Sequence, residues 1–136
     1  MFSEQELAYL RTQKLLRVAT VTSDGQPDVD AVGFEFDGQY FYIGGLALQT
    51  SRKYKNVAAG NPKVSLIIDD QETPAPRGIK LHGVAQIVQR TGRLGLTDYL
   101  AVRPTVSWHW GIDGPPVFKN ATFVAPKIIW PPVDEA

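Results

Sequence analysis

Hydrophobic and polar positions follow one another in short blocks that predict many small elements. Ser3 and Glu6 have the S-x-x-E spacing of a capping box, and Phe2 and Leu7 are placed as its hydrophobic staple. A helix is expected over residues 4–12, with Leu7, Leu10 and Tyr9 on its apolar side. Leu15-Leu16-Arg17-Val18-Ala19-Thr20-Val21-Thr22 is rich in branched residues and runs into Ser23-Asp24-Gly25, which reads as a strand and a hairpin turn. A second strand is expected over 28–36, closed by Asp37-Gly38, and a third over 39–44.

After Gly44-Gly45 the period changes. Tyr54, Val57 and Ala58 recur at i, i+3 and i+4, a short helix opened by Thr50-Ser51 and stopped by Gly60, Asn61 and Pro62. Residues 63–69 form a strand apolar on both faces, as in a barrel wall or beneath a partner subunit. Residues 70–77 are a proline-containing connection, 78–90 a long strand and 94–102 a helix. Residues 104–119, with Trp108, Trp110 and several prolines and glycines, read as an ordered loop or lid. A last strand over 121–130 is interrupted by Pro126, so it belongs at an edge or bulge. The pattern has no βαβ alternation and no linker. It predicts one domain over 1–136, mainly β with short helices: a six-stranded antiparallel barrel, closed or split.

Composition narrows the function. Of 136 residues, 43% are hydrophobic and 21% charged, which is globular. Fourteen Lys and Arg balance fourteen Asp and Glu, so the basic excess of a nucleic-acid binder is missing. No cysteine is present, which removes disulfides, thiolate metal sites and a Cys nucleophile. No apolar run is long enough to span a bilayer. Residues 1–10 lack the pattern of a secretory signal, and the cytoplasm is the expected compartment.

The candidate chemistry centres on Thr50-Ser51-Arg52-Lys53-Tyr54-Lys55-Asn56. Three cations in the first turn and a half of a helix oppose its dipole. A bound phosphate removes the conflict, because backbone N–H groups, the two hydroxyls and the cations would converge on it. A solvated basic face is the other reading; the broken local rule favours the site. In Asp30-Ala31-Val32-Gly33, small residues in mid-strand either mark a barrel corner or let a flat ligand lie against the backbone. His82 reads as structural. His109 either packs or lines a substrate pocket with Trp108 and Trp110. No metal set, G-x-S-x-G or Walker loop is present, and no catalytic group is identified. Chemistry borrowed from a cofactor fits such a chain.

These segments, together with Asp24-Gly25-Gln26-Pro27, Val32-Gly33-Phe34, Asn61-Pro62-Lys63-Val64 and the closing 123–130, resemble the pyridoxamine 5'-phosphate oxidase-like FMN-binding split barrels. The likeness is greatest to their deazaflavin (coenzyme F420) branch, which includes a reductase of oxytetracycline biosynthesis. It covers residues 1–90 and 121–130. It implies a homodimeric flavoprotein with two cofactor sites at the subunit interface. Ser51, Arg52, Lys53 and Lys55 would hold the phosphate, beside Thr50, and Ala31, Val32 and Gly33 would line the ring. It further implies an oxidoreductase passing hydride from reduced F420 to an unsaturated or carbonyl organic substrate. An FMN enzyme and a non-catalytic cofactor binder are the alternatives. A single-stranded DNA barrel ranks last, for want of a basic groove.

Overall fold

A computed structural model describes residues 1–72 and 74–132. Helix α1 (Glu4–Thr12) has the expected reciprocal cap: Ser3 Oγ accepts from Glu6 N at 3.1 Å, and Glu6 Oε1 accepts from Ser3 N at 3.0 Å. Strands β1 (Leu15–Val21), β2 (Pro27–Gly33), β3 (Glu35–Phe36) and β4 (Phe41–Ile43) follow. A 3-10 turn (Leu48–Thr50) leads into helix α2 (Arg52–Ala58). Then come β5 (Lys63–Asp70), β6 (Arg77–Gly92), β7 (Gly95–Trp110), β8 (Val117–Lys119), β9 (Thr122–Val124) and β10 (Lys127–Ile129).

The main sheet runs β2-β1-β5-β6-β7-β4-β3, antiparallel throughout, with β10 paired to β7. β2 and β3 are its two edges, yet only Phe34 separates them in the chain. One bent segment thus borders both ends of the sheet, which curls without closing by a ladder. That is a split barrel. Its walls are β1, β2 with β3, β4, β5, β6 and β7; β8 and β9 form a separate hairpin.

Three expectations are corrected. Residues 94–102 are not a helix, and of 104–119 only 111–116 are irregular: β7 runs from Gly95 to Trp110 and pairs with β6 along its whole length, and Val117–Lys119 are β8. Arg93 and Leu94 make a two-residue turn between Gly92 and Gly95, and Gly95 takes φ +83°. The cause is tertiary. Tyr99, Leu100, Ala101 and Val102 are all buried, and the segment between Leu100 and Val102 also pairs with β4 on its other edge. Burial on both faces erases the alternation that marks a strand locally. Pro104, lacking an N–H, lies where the register slips opposite His82 and Gly83, and Thr105 Oγ1 donates to His82 O at 3.2 Å. The last expected strand is two pieces, β9 and β10, parted around Pro126.

The core is lined by Leu16 and Val18 of β1, Phe41 and Ile43 of β4, Leu66 and Ile68 of β5, Ile79 and Leu81 of β6, and Leu100 and Val102 of β7. Phe2 packs edge-on against Trp130 at 4.7 Å, and Trp130 Nε1 donates to Ser107 Oγ at 2.9 Å. The start of the chain and the segment after β10 are thereby fixed to the same side of the barrel. Tyr9 donates to Asp70 at 2.8 Å, and the Arg77 guanidinium covers the Tyr9 ring at 4.9 Å, which ties α1 to β5 and β6.

Candidate functional site

Helix α2 is held against β1 by two amides. Asn56 Nδ2 donates to Thr20 Oγ1 at 2.9 Å, both groups being buried, and Asn61 Nδ2 donates to Val21 O at 3.1 Å. The buried stripe is therefore Asn56 and Val57 with half-buried Tyr54, while Ala58, expected in the stripe, is exposed. Tyr54 donates to Asp98 at 3.0 Å, and that bond, more than desolvation, raises its pKa.

The cations divide. Arg52 and Lys55 are exposed and line a groove of about 540 Å³ between α2 and the β1–β2 turn, together with Thr22, Ser23, Asp24 and Asn56. Neither makes an ion pair among the described residues. Lys53 turns the other way: its Nζ lies 3.3 Å from Asp30 Oδ2 on β2. Part of the dipole conflict at the helix start is relieved there, by a carboxylate of the neighbouring strand. The two hydroxyls are occupied internally, since Thr50 Oγ1 donates to Ala47 O at 2.9 Å and Ser51 Oγ to Leu48 O at 2.5 Å. Ser51 also caps α2, accepting from Tyr54 N at 3.3 Å.

The opposite wall of the groove is a turn tied by its own hydrogen bonds. Thr22 N donates to Gln26 O and Gly25 N to Thr22 O, each at 3.0 Å, while Gly25 takes φ +91°. Thr22 Oγ1 donates to Asp24, which holds that carboxyl below the usual range and therefore ionised at neutral pH. The groove can thus hold an anion on Arg52 and Lys55, with Asp24 limiting how much negative charge enters beside the turn.

Ala31, Val32 and Gly33 end β2, one residue before the bend at Phe34. A Cβ at Gly33 would meet nothing nearer than Lys14 O at 3.8 Å, and its φ is not left-handed. Neither packing nor backbone strain within the chain demands glycine there. The bare backbone borders a recess of about 240 Å³ that includes Tyr42, Gly44 and Tyr99.

Trp108, His109 and Trp110 do not share one pocket. Strand alternation puts His109 on the buried side, its Nδ1 3.7 Å from Glu6 Oε2 and its Nε2 3.3 Å from Asp113. Trp108 stacks with Lys80 at 4.5 Å and meets His82 edge-on at 4.9 Å; Trp110 meets Phe123 at 6.1 Å. Sequence reasoning missed Asp30 as the partner of Lys53. It also missed a cluster at the β6–β7 hairpin, where Arg90 lies over the Tyr42 ring at 3.9 Å and 3.4 Å from Glu35. These partners are distant in sequence and carry no local signal. No cluster of His, Asp or Glu suited to a metal occurs among the described residues, and no described helix is long and apolar enough to cross a membrane.

Comparison with known proteins adds four likenesses. Residues 2–123 match the family described as Pyridoxamine 5'-phosphate oxidase. The chain is 34% identical over 122 residues to a 5a,11a-dehydrotetracycline/5a,11a-dehydrooxytetracycline reductase of Streptomyces rimosus subsp. rimosus, covering 83% of this chain and 85% of that one. Among solved structures, an F420 reductase superposes with a TM-score of 0.58 at 27% identity, covering 70% of this chain and 89% of the other. The heme storage protein HutZ of Vibrio cholerae superposes with a TM-score of 0.57 at 23% identity, over 76% and 91% of the two chains, a likeness of fold alone.

Proposed function

This chain belongs to the pyridoxamine 5'-phosphate oxidase family, and from that premise we propose that it is an F420-dependent reductase acting on an unsaturated or carbonyl organic substrate. It is an oxidoreductase of a flavin- or deazaflavin-binding fold. The choice of F420 draws on the F420 reductase that superposes on it.

The observation that carries the reading is the groove beside α2, where Arg52 and Lys55 stand exposed and without an ion pair among the described residues. Their charges suit a cofactor phosphate, and charge-assisted contacts of this kind are worth about 1.5–3 kcal/mol each. Lys53, joined to Asp30, ties the phosphate-holding helix to the strand that carries Ala31, Val32 and Gly33. The missing side chain at Gly33 leaves backbone for a flat ring to rest on. When bound, the cofactor supplies the hydride, and the chain supplies binding, orientation and electrostatics.

The same reading includes a homodimer with the cofactor between subunits. Leu15 and Val29, on the adjacent strands β1 and β2, are 55% and 64% exposed and suit a partner surface. FMN is the second candidate, favoured by the family to which the chain belongs.

A paired fluorescence titration with F420 and FMN, with gel filtration of each complex, tests the proposal. Tight F420 binding with weak FMN binding supports it. The reverse preference moves the protein to the FMN branch, and binding of neither removes the cofactor assignment.

A further inference from the structure

A cleft of about 420 Å³ lies between α1 and β3, within the roughly 300–1,000 Å³ of ordinary small-molecule sites. Leu7, Leu10, Phe34 and Phe36 give it an apolar floor. The recess that borders Gly33 shares Phe34, Glu35 and Arg93 with this cleft, so the two adjoin along a path that runs from α1 toward the end of β2. Gly44 helps to keep the recess open, because a Cβ there would lie 2.7 Å from Tyr99 Cε1 and 3.2 Å from Leu94 Cδ1.

The charges along this path are unequal in their commitments. Glu35 is taken up: Oε1 lies 3.4 Å from Arg90 Nη1, and Oε2 accepts from Arg93 N at 3.3 Å. Asp37 is taken up as well, accepting from Gln39 N at 2.9 Å, Tyr40 N at 2.7 Å and Tyr42 Oη at 2.9 Å. The guanidinium groups of Arg11 and Arg93 have no hydrogen bond or ion pair among the described residues. Two free cations from separate elements thus line one apolar floor, while Glu35 is paired with Arg90 and Asp37, still an anion, has its oxygens engaged by hydrogen bonds from the chain itself. Guanidinium presents a planar fork that matches an acidic oxygen, and the aromatic and leucine floor favours a flat apolar body.

We propose that this cleft takes the substrate, that the substrate is a planar organic anion (an enolate, phenolate or aromatic carboxylate), and that Arg11 and Arg93 hold its acidic oxygen. The direction of the path toward Gly33 rests on the reading of that backbone as the ring-facing surface.

The probes are 2-hydroxy-1,4-naphthoquinone, an anion at neutral pH, and 2-methyl-1,4-naphthoquinone, its neutral counterpart. Each is titrated into the full chain loaded with whichever cofactor it binds, for the wild type and for R11Q/R93Q. The wild type is expected to bind the anion at least about tenfold more tightly than the neutral quinone. The double variant loses that preference while keeping its cofactor affinity. Equal affinity of the wild type for the two probes, binding of neither, or a preference that survives in R11Q/R93Q overturns the proposal. A variant that loses cofactor affinity overturns it too, while leaving the proposed cofactor in place. A wild type that binds no cofactor but still prefers the anion sinks the F420 reading and spares the anion cleft.

Discussion

Lys53 and Asp30 join the start of α2 to β2, with Nζ 3.3 Å from Oδ2 and side-chain exposures of 11% and 41%. The ammonium is nearly enclosed and the carboxylate is open to water. Losing the carboxylate therefore harms more than losing both charges would, because it leaves a desolvated cation without a partner. Asp30→Ala should lower stability by about 1 kcal/mol, less than a fully buried pair would lose, and D30A/K53M should recover part of that. Urea denaturation of the three proteins checks this; a double variant no more stable than D30A would contradict it.

Arg52 and Lys55 are exposed, so removing them should leave the fold alone. R52A/K55A is expected to melt within a few degrees of the wild type and to weaken F420 or FMN binding by roughly two orders of magnitude or more. Fluorescence titration reads the affinity, and unchanged binding would remove the phosphate from this groove.

Two glycines separate folding from binding. A Cβ at Gly83 would lie 2.7 Å from Arg103 O and 2.8 Å from Val102 Cγ1, in the middle of paired strands. Gly83→Ala should cost about 1–3 kcal/mol through overpacking, visible as a lower Tm. At Gly33 the same substitution meets only Lys14 O at 3.8 Å, so Gly33→Ala should melt normally yet bind cofactor at least several-fold more weakly. A Gly33→Ala protein with wild-type affinity would argue that no ring rests on that backbone.

The polar group under α1 makes stability depend on pH at both ends. Burial pushes the Asp70 carboxyl up, but hydrogen bonds from Glu72 N, Arg77 and Tyr9 outweigh it and hold its pKa below the ordinary aspartate value. A depressed folded pKa contributes stability that is present above the unfolded value, about 3.9, and lost as pH falls through the folded one. Tyr9 is shifted the other way, by burial first and by its bond to Asp70 second. Its contribution is present below the unfolded value of about 10 and lost only as pH rises through the higher folded value. Chemical denaturation across pH should show Asp70→Asn flattening the acid limb and Tyr9→Phe the alkaline one; limbs unchanged by either substitution would refute the linkage.

Much of this protein was legible in its sequence, where the deciding physics is local. The Ser3–Glu6 box fixes α1 because capping needs only residues three apart. The branched run of β1, the Asp24-Gly25 turn and the Ser51 cap of α2 follow from the same short range, and the family likeness rested on those segments. β7 was illegible although its β6 partner is local, across the Arg93-Leu94 turn: burial of residues 99–102 hides the alternation, and β4 and β10 on the other edge lie outside any window around residues 94–102. The site divides in the same way. Sequence alone identified a basic turn at Arg52, Lys53 and Lys55, but it could not tell which cation was already spent. Only folding brings Asp30 to Lys53, and Arg90 and Arg93 N to Glu35. A charge becomes available for a ligand only when the tertiary structure leaves it without a partner, and that is decided by residues far away along the chain.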